Sequence, residues 1–331
     1  MSVAQYAVAS DTGRKRRRNE DNYVVAPPLF AVADGMGGAQ AGEVASKLAA
    51  TTLESGDDQP LRGAERVAAL IQEANRRVYE RAASDPTASG MGTTMTVALV
   101  EGMTVTIGHV GDSRAYLVRS ERMEQLTDDH SLVNELLKSG KLSPEEALAH
   151  PQRSVITRAV GTDPDVDVDA FAIEAEDGDV FLLCSDGLTD MVEDVDILET
   201  LERHKDDLDR AVKSLVAAAN RGGGEDNITA VAFRVSAEGD GDGGETMQMP
   251  AADEPDEDTQ EQVESHPPVD TMVIPPDRIA DELLEPGSPE ALAAARRDVE
   301  PLDTSARLRL ALTMVGLLGI AVVLLVWGLL R

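Results

Sequence analysis

The sequence predicts an α+β protein, with strands and paired helices in separate layers, followed by one membrane-spanning helix. Three observations carry this reading. Short Val-rich or alternating apolar runs mark strands across the first 236 residues. Helical spacings fall between them without the regular β-α-β-α rhythm of a doubly wound parallel sheet. Finally, residues 310–330 form a stretch of 21 without a charge.

Taken in order, the strand runs are residues 6–10, 29–33, 95–100, 104–110, 115–119, 180–184 and 229–235. Val67, Leu70, Ile71, Ala74 and Val78 recur at helical spacing, as do Leu208, Val212, Leu215, Val216 and Ala219. Ser143-Pro144-Glu145-Glu146 is a capping box with Pro at the first helical position. Hydrophobic content of 42% suffices for a large core, while 3% aromatics means that Ala, Val, Leu and Ile must fill most of it. No internal repeat is present.

Charge divides the chain. Residues 1–236 carry 41 acidic and 24 basic side chains, and residues 237–300 carry 19 against 3. Residues 237–306 are rich in Asp, Glu, Gly and Pro, a composition that buries too little apolar surface to offset chain entropy, so an acidic disordered linker is expected there. One short helix is expected near Ser288-Pro289-Glu290. A net charge of −31 excludes an ordinary nucleic-acid binder, which needs a basic surface. The single cysteine, Cys184, excludes an intramolecular disulfide and a thiolate metal cluster.

At 1.5 Å per residue, residues 310–330 would span about 31 Å, the thickness of a bilayer's hydrocarbon. The segment has no polar stripe, which a core helix would show. Arg296, Arg297, Arg307 and Arg309 precede it and Arg331 follows, so the preceding side is expected in the cytoplasm. Trp327 sits where an interfacial anchor belongs. The first residues show no basic stretch leading into an apolar core, so no signal peptide is expected. The expected organisation is a folded domain at 1–236, the linker at 237–306 and a transmembrane helix at 307–331. The protein is then expected to be a single-pass membrane protein with its folded domain cytoplasmic and no extracellular sensor.

Four acidic signatures stand at strand ends or turns: Asn19-Glu20-Asp21, Asp34-Gly35-Met36-Gly37-Gly38, Ser185-Asp186-Gly187 and Glu225-Asp226-Asn227. A carboxylate at the mouth of a buried strand is expensive unless paired or bound to a cation. Each signature alone is as well explained by a turn, since Asp-Gly is a common turn dipeptide. Several converging from distant points of the chain suit a hard divalent metal with oxygen ligands.

Together with Arg16, Gly90-Met91-Gly92-Thr93-Thr94, His109-Val110-Gly111-Asp112-Ser113-Arg114 and His150-Pro151-Gln152-Arg153, their order and spacing resemble the type 2C metal-dependent protein phosphatase family, in its bacterial Ser/Thr phosphatase branch. The resemblance covers residues 5–235. It implies a central antiparallel β-sandwich flanked by helix pairs on both outer faces, a four-layer αββα fold. It implies a site for two Mn²⁺ or Mg²⁺ ions, with Asp34 bridging them and the Gly35 carbonyl on one. Asp186 and Asp226 would complete the other ion, Glu20 would sit beside the pair, and Asp112 with Asp186 would hold a third, weaker metal. Arg16 would take the substrate phosphate, and Asn227 would support the site by hydrogen bonding.

The implied reaction is hydrolysis of phosphoserine and phosphothreonine in proteins by a metal-bridged hydroxide, without a covalent phosphoenzyme. The implied partners are phosphorylated proteins, chiefly membrane Ser/Thr kinases and their substrates. One departure matters. Animal relatives place a His, a proposed general acid, two residues after the bridging Asp, and here that position is Met36. His109 and His130 could replace it, but a lone His is more often structural.

Other signals favour plainer readings. Arg14-Lys15-Arg16-Arg17-Arg18 resembles a targeting patch, yet in so acidic a chain a phosphate-facing cluster is more economical. Cys184 lacks the Arg of a thiol-phosphatase cradle, because Asp190 stands six residues on, so a buried strand thiol is expected. Asp163, Asp165, Asp167 and Asp169 hint at a calcium loop, but its sixth position is Val168, not Gly, and a solvated strand face is expected. Residues 127–161 carry the family's flap position. Thr246 and Thr271 stand in acidic or Pro-rich surroundings, open to modification by an opposing kinase. As a flexible spacer, the linker would hold the domain roughly 40–50 Å from its helix, near membrane-bound kinases.

Overall fold

Leu29-Phe30-Ala31-Val32-Ala33 is apolar at every position, and the reason is that both faces of this strand are covered. The computed structural model describes residues 3–37, 41–56, 60–148, 150–237 and 272–273. All of them belong to one unit, Met1–Ile279. The Ser288 helix, the uncharged 310–330 stretch and all of the linker past residue 237 except 272–273 lie outside the described residues.

The chain runs β1 (Val3–Asp11), β2 (Asn22–Ala26), β3 (Leu29–Ala33), β4 (Gly35–Met36), α1 (Ala41–Glu54), α2 (Gly63–Ser84), β5 (Gly92–Thr93), β6 (Met95–Glu101) and β7 (Thr104–Val110). It continues through β8 (Arg114–Arg119), β9 (Arg122–Gln125), α3 (Leu132–Lys138), α4 (Pro144–Leu148), β10 (Val155–Ile156), β11 (Asp169–Glu174) and β12 (Val180–Cys184). Then come α5 (Asp186–Thr189), α6 (Asp194–Arg203), α7 (Leu208–Gly222), β13 (Ile228–Val235) and β14 (Met272–Val273).

Two five-stranded sheets, β1-β13-β12-β8-β9 and β11-β7-β6-β3-β2, are antiparallel throughout. The period-2 alternation of each strand sends one set of side chains between the sheets and the other set outward. Phe30 and Val32 join Phe181, Leu183, Val231 and Phe233 in the inter-sheet core. Phe233 stacks on Phe30 with ring centroids 4.3 Å apart and on Phe181 at 5.1 Å. The chain has only four Phe, and all of them border this layer, so the scarce aromatics are spent where two sheets must interlock. Each fully buried ring contributes about 1.5–3 kcal/mol, and each stacked pair about 0.5–1.5 more.

The opposite parity meets helices. Ala31 and Ala33 pack under α1 and α2, against Ala45, Ala49, Ile71 and Val78. Leu182 and Cys184 pack under α6 and α7, against Ile197, Leu201, Val212 and Leu215. The layers therefore run helices, sheet, sheet, helices, a mixed α/β fold with antiparallel sheets. Cys184 is buried, and burial pushes its thiol up to about 12, far from a nucleophile.

The capping box at α4 is present, with Ser143 N donating to Glu146 Oε2 at 2.9 Å and Glu146 N to Ser143 Oγ at 3.3 Å. The linker departs from a featureless spacer at one point, where β14 pairs in parallel with β10, Val155 opposite Met272 and Ile156 opposite Val273. Among the described residues no helix is long and apolar enough to cross a membrane.

Candidate active site

Antiparallel strands of one sandwich start and stop at its two poles, and the acidic motifs gather at one of them. Asp34 follows the last residue of β3, Asp186 opens α5 just beyond β12, Asp226 precedes β13, and Asp112 sits in the β7–β8 turn. Asn227 binds this pole together. Its Nδ2 donates to the Thr12 carbonyl at 2.9 Å and to the Arg18 carbonyl at 2.8 Å, and its Oδ1 accepts from Glu20 N at 2.8 Å. Arg16 Nη2 lies 2.7 Å from Asp226 Oδ2, so the guanidinium is held at the edge of the acidic cluster.

Two glycines are required by close approach. A Cβ on Gly35 would collide with the Gly42 carbonyl of α1 and with the Glu20 backbone. A Cβ on Gly187 would collide with the Asn227 carbonyl. With no side chain at either position, the Asp34 loop and the start of α5 close onto the same small volume.

The electrostatics are those of crowded carboxylates. Burial and then the charges of Asp21, Asp186 and Asp226 push Asp34 well above the usual carboxylate range. Burial and then Asp112 and Asp226 do the same to Asp186. Asp112 rises to about 7 through burial and the neighbouring Asp129 and Asp190. Asp186 Oδ1 and Asp21 Oδ1 are buried without a hydrogen-bond partner. Such oxygens are costly unless a cation satisfies them, so the donor set, oxygen only and negatively charged, fits hard divalent ions. Among the described residues no three His, Cys, Asp or Glu side chains already converge on one point. The short Arg16–Asp226 contact draws Asp226 toward the guanidinium.

Several residues at this pole lie beyond what sequence reasoning picked out. Asp21, 6% exposed, is a further buried carboxylate, raised to about 6 chiefly by burial, and it accepts from Ser185 Oγ at 2.8 Å. Its signal was its place in Asn19-Glu20-Asp21, where Glu20 alone was given a role. Thr93 Oγ1 donates to the Asp34 carbonyl at 2.8 Å, and Asp34 N donates to Thr94 Oγ1 at 2.9 Å, so the Gly-Thr-Thr motif fixes the Asp34 backbone.

His130 clasps the loop before Asp112. Gly111 N donates to its Nδ1 at 3.0 Å, and its own N donates to the Gly111 carbonyl at 2.8 Å. Nε2 is left to face Asp169 at 3.1 Å. His109 is buried under it with ring centroids 4.7 Å apart, its pKa lowered to about 3 by burial and by His130. Both histidines are buried behind the loop that carries Asp112. Met36, where animal relatives carry His, is buried against Ile156 and Ala159 of the flap region.

The Protein phosphatase 2C family description matches residues 15–225. A Listeria innocua protein, Serine/threonine phosphatase stp, is 42% identical over 231 residues, covering 66% of this chain and 91% of that protein. PstP of Mycobacterium tuberculosis, a Serine/threonine protein phosphatase, is also 42% identical over 231 residues, 69% of this chain and 44% of its own length. Among solved structures, that M. tuberculosis phosphatase superposes with a TM-score of 0.67 at 40% identity, over 71% of this chain and 99% of the solved one. A PstP catalytic domain solved in complex with two manganese ions superposes at 0.66 with 38% identity, over 71% of this chain and 100% of that one. The chain belongs to the protein phosphatase 2C family, in its bacterial branch.

Proposed function

We infer that this chain is a metal-dependent protein phosphatase that hydrolyses phosphoserine and phosphothreonine in other proteins. The observation that carries the reading is the pole itself, where Asp21, Asp34, Asp112 and Asp186 crowd with raised pKa values beside Arg16 and Asp226. Asp34, the Gly35 carbonyl, Asp186 and Asp226 would hold two Mn²⁺ or Mg²⁺ ions, with Glu20 beside them and Asp112 serving a third. When bound, these ions supply Lewis acidity and make hydroxide available near neutral pH.

The rest of the chemistry belongs to the chain. Arg16 has five N–H donors in a planar fork, the geometry that meets phosphoryl oxygens two at a time, and its contact with Asp226 holds that fork at the edge of the carboxylates. Contact with phosphoryl oxygens strengthens as charge builds on the phosphoryl group. Thr93 and Thr94 keep the Asp34 backbone from moving, and Asn227 holds the loops that carry Arg18 and Glu20. Met36 can donate no proton, so the leaving oxygen must take its proton from water or from another group at the pole.

The uncharged residues 310–330 would tether the unit to the cytoplasmic face of the membrane, beside membrane Ser/Thr kinases and their substrates. The experiment that tests the activity uses the purified chain and a phosphothreonine peptide. Hydrolysis is expected only with Mn²⁺ or Mg²⁺, and activity that survives EDTA or Asp34→Asn would sink the reading. Fractionation of cells carrying the full chain tests the tether, which fails if the chain stays in the supernatant after the membranes are pelleted.

A further inference from the structure

Strand β13 ends at the pole opposite the carboxylates. Past β13, Ala237 N donates to Asp177 Oδ1 at 2.9 Å, which marks where the chain leaves. Asp177 lines a cavity of about 380 Å³ at the end of α6, where Arg119, Lys205 and Arg234 face Glu176, Asp179, Glu202 and Asp206 as well. On the other side of that helix end a second cavity, about 540 Å³, lies along α6 and α7 and is lined by Arg203, His204, Arg210, Lys213 and Arg221.

The acidic groups on this groove are already engaged. Asp209 pairs with Lys213 at 2.7 Å, and Asp207 accepts from Arg210 N at 3.0 Å. Arg203 and Lys213 are engaged in turn, by Glu199 at 2.6 Å and by Asp209, so the cations this groove offers are Arg210 and Arg221, which have no ion pair among the described residues and stand about three turns of α7 apart as a short basic strip. The strip leads from one pole to the other. α7 is 15 residues and thus about 22 Å long, and just past it the Gly224 carbonyl accepts from Arg14 N at 2.7 Å.

An independent observation lies at the far end. β14 pairs with β10 on the flap, and flap residue Arg153 stands 3.9 Å from Glu225, three residues beyond α7. The chain therefore leaves at residue 237 by one pole and is back at residue 272 beside the other. Residues 238–271 contain twelve Asp or Glu and no Lys or Arg. A flexible chain of that length reaches roughly 30 Å, which matches the groove.

We propose that the α6–α7 groove is a binding surface for acidic peptide, and that its occupant is residues 238–271 of the same chain. Charge pairing in the groove carries this segment from its exit beside Asp177 to the strand pairing at β10. The interaction is electrostatic and largely exposed, so it weakens as salt rises.

The test places spin labels on the full chain at Ser214→Cys, in the groove, and Thr259→Cys, in the acidic run; the buried Cys184 does not react. At low salt we expect a narrow distribution of label separations. It should broaden at 1 M salt, where screening acts within about 3 Å. It should also broaden at low salt in the double variant Arg210→Glu/Arg221→Glu, which still hydrolyses a small phosphate ester at the unaltered rate. Equally broad distributions in the unaltered chain at both salt concentrations overturn the proposal, without reference to any variant. A narrow distribution that survives the double substitution overturns it too. A broad distribution together with binding of an added acidic phosphopeptide, lost in the double variant, would give the groove to an outside partner instead.

Discussion

Asp179 and Asp186 flank the two ends of one strand, β12, and the fold treats them in opposite ways. Asp179, 3% exposed, accepts from Arg119 Nε at 2.9 Å and from Glu176 N at 2.7 Å, with a further Arg119 contact. Asp186 has no basic partner among the described residues, keeps an orphan Oδ1, and is raised by burial and by the charges of Asp112 and Asp226. Ordinary folding pressure yields the first arrangement, because an unpaired buried charge costs several kcal/mol. The second persists only where something outside the polypeptide compensates it. The contrast locates function without any appeal to motif.

Breaking the unpaired end should have the largest effect, and on activity. Asp186→Asn is expected to lower the rate of phosphopeptide hydrolysis by more than about 100-fold, the loss that follows even from groups one step removed from a metal. The same substitution should raise the unfolding midpoint of the protein in EDTA, because it removes a repelled charge. An unchanged or lower midpoint in EDTA would mean that Asp186 is compensated within the chain.

The second effect concerns pH. Asp112 is raised to about 7 and Asp21 to about 6, so in the window from about 4 to 7 the folded, metal-free protein binds protons that the unfolded chain releases. Stability from these groups is complete below pH 4 and lost as pH rises through 6 and 7, by up to about 1.4 kcal/mol per pH unit for each group. In EDTA the urea midpoint should therefore be higher at pH 5 than at pH 8. Asp112→Asn should flatten that slope, and Mn²⁺ should reverse it by binding the ionised carboxylates.

Much of this pole was legible in the sequence because its carboxylates stand where apolar runs stop. The runs themselves were legible because β3 and β12, covered on both faces, read as unbroken apolar stretches, while β6, β7, β8 and β13 read as Val-rich or alternating runs. β9, Arg122-Met123-Glu124-Gln125, is a largely exposed edge strand with one partner, and so has no apolar pattern to read. α1 hides for a different reason. Its buried face is Ala41, Ala45, Ala49 and Ala50 with Gly42, Ser46, Thr52 and one Leu, too small a contrast with its exposed side. Residues that position the site were hidden by distance along the chain: Ser185 reaches Asp21 across 164 positions, and Thr94 reaches Asp34 across 60. No local pattern encodes such a pair.

At the paired end of β12, Asp179→Asn should leave hydrolysis unchanged and destabilise the fold by about 1–3 kcal/mol in a urea titration. The figure sits below the 3–5 kcal/mol typical of a broken buried pair, because Arg119 is 30% exposed and water can take up its charge. A loss of activity here would blur the division between the poles.

The smallest effect is expected at a carboxylate that neither pole uses. Glu146 is exposed on the flap, its pKa lowered by the Ser143 backbone N–H and hydroxyl of the capping box. It contributes above the ordinary Glu range and that contribution fades as pH falls through its lowered value, yet water competes for every hydrogen bond it makes. Glu146→Gln keeps an acceptor in place, so the urea midpoint should move by no more than the error of the measurement and hydrolysis should be unaltered. The three carboxylates then rank by what surrounds them, from unpaired and crowded, through paired and buried, to paired and wet. A Glu146→Gln chain that lost phosphopeptide hydrolysis while keeping its midpoint would overturn that ranking, because it would mean that the flap's first helical turn, and not the carboxylate pole alone, sets the rate.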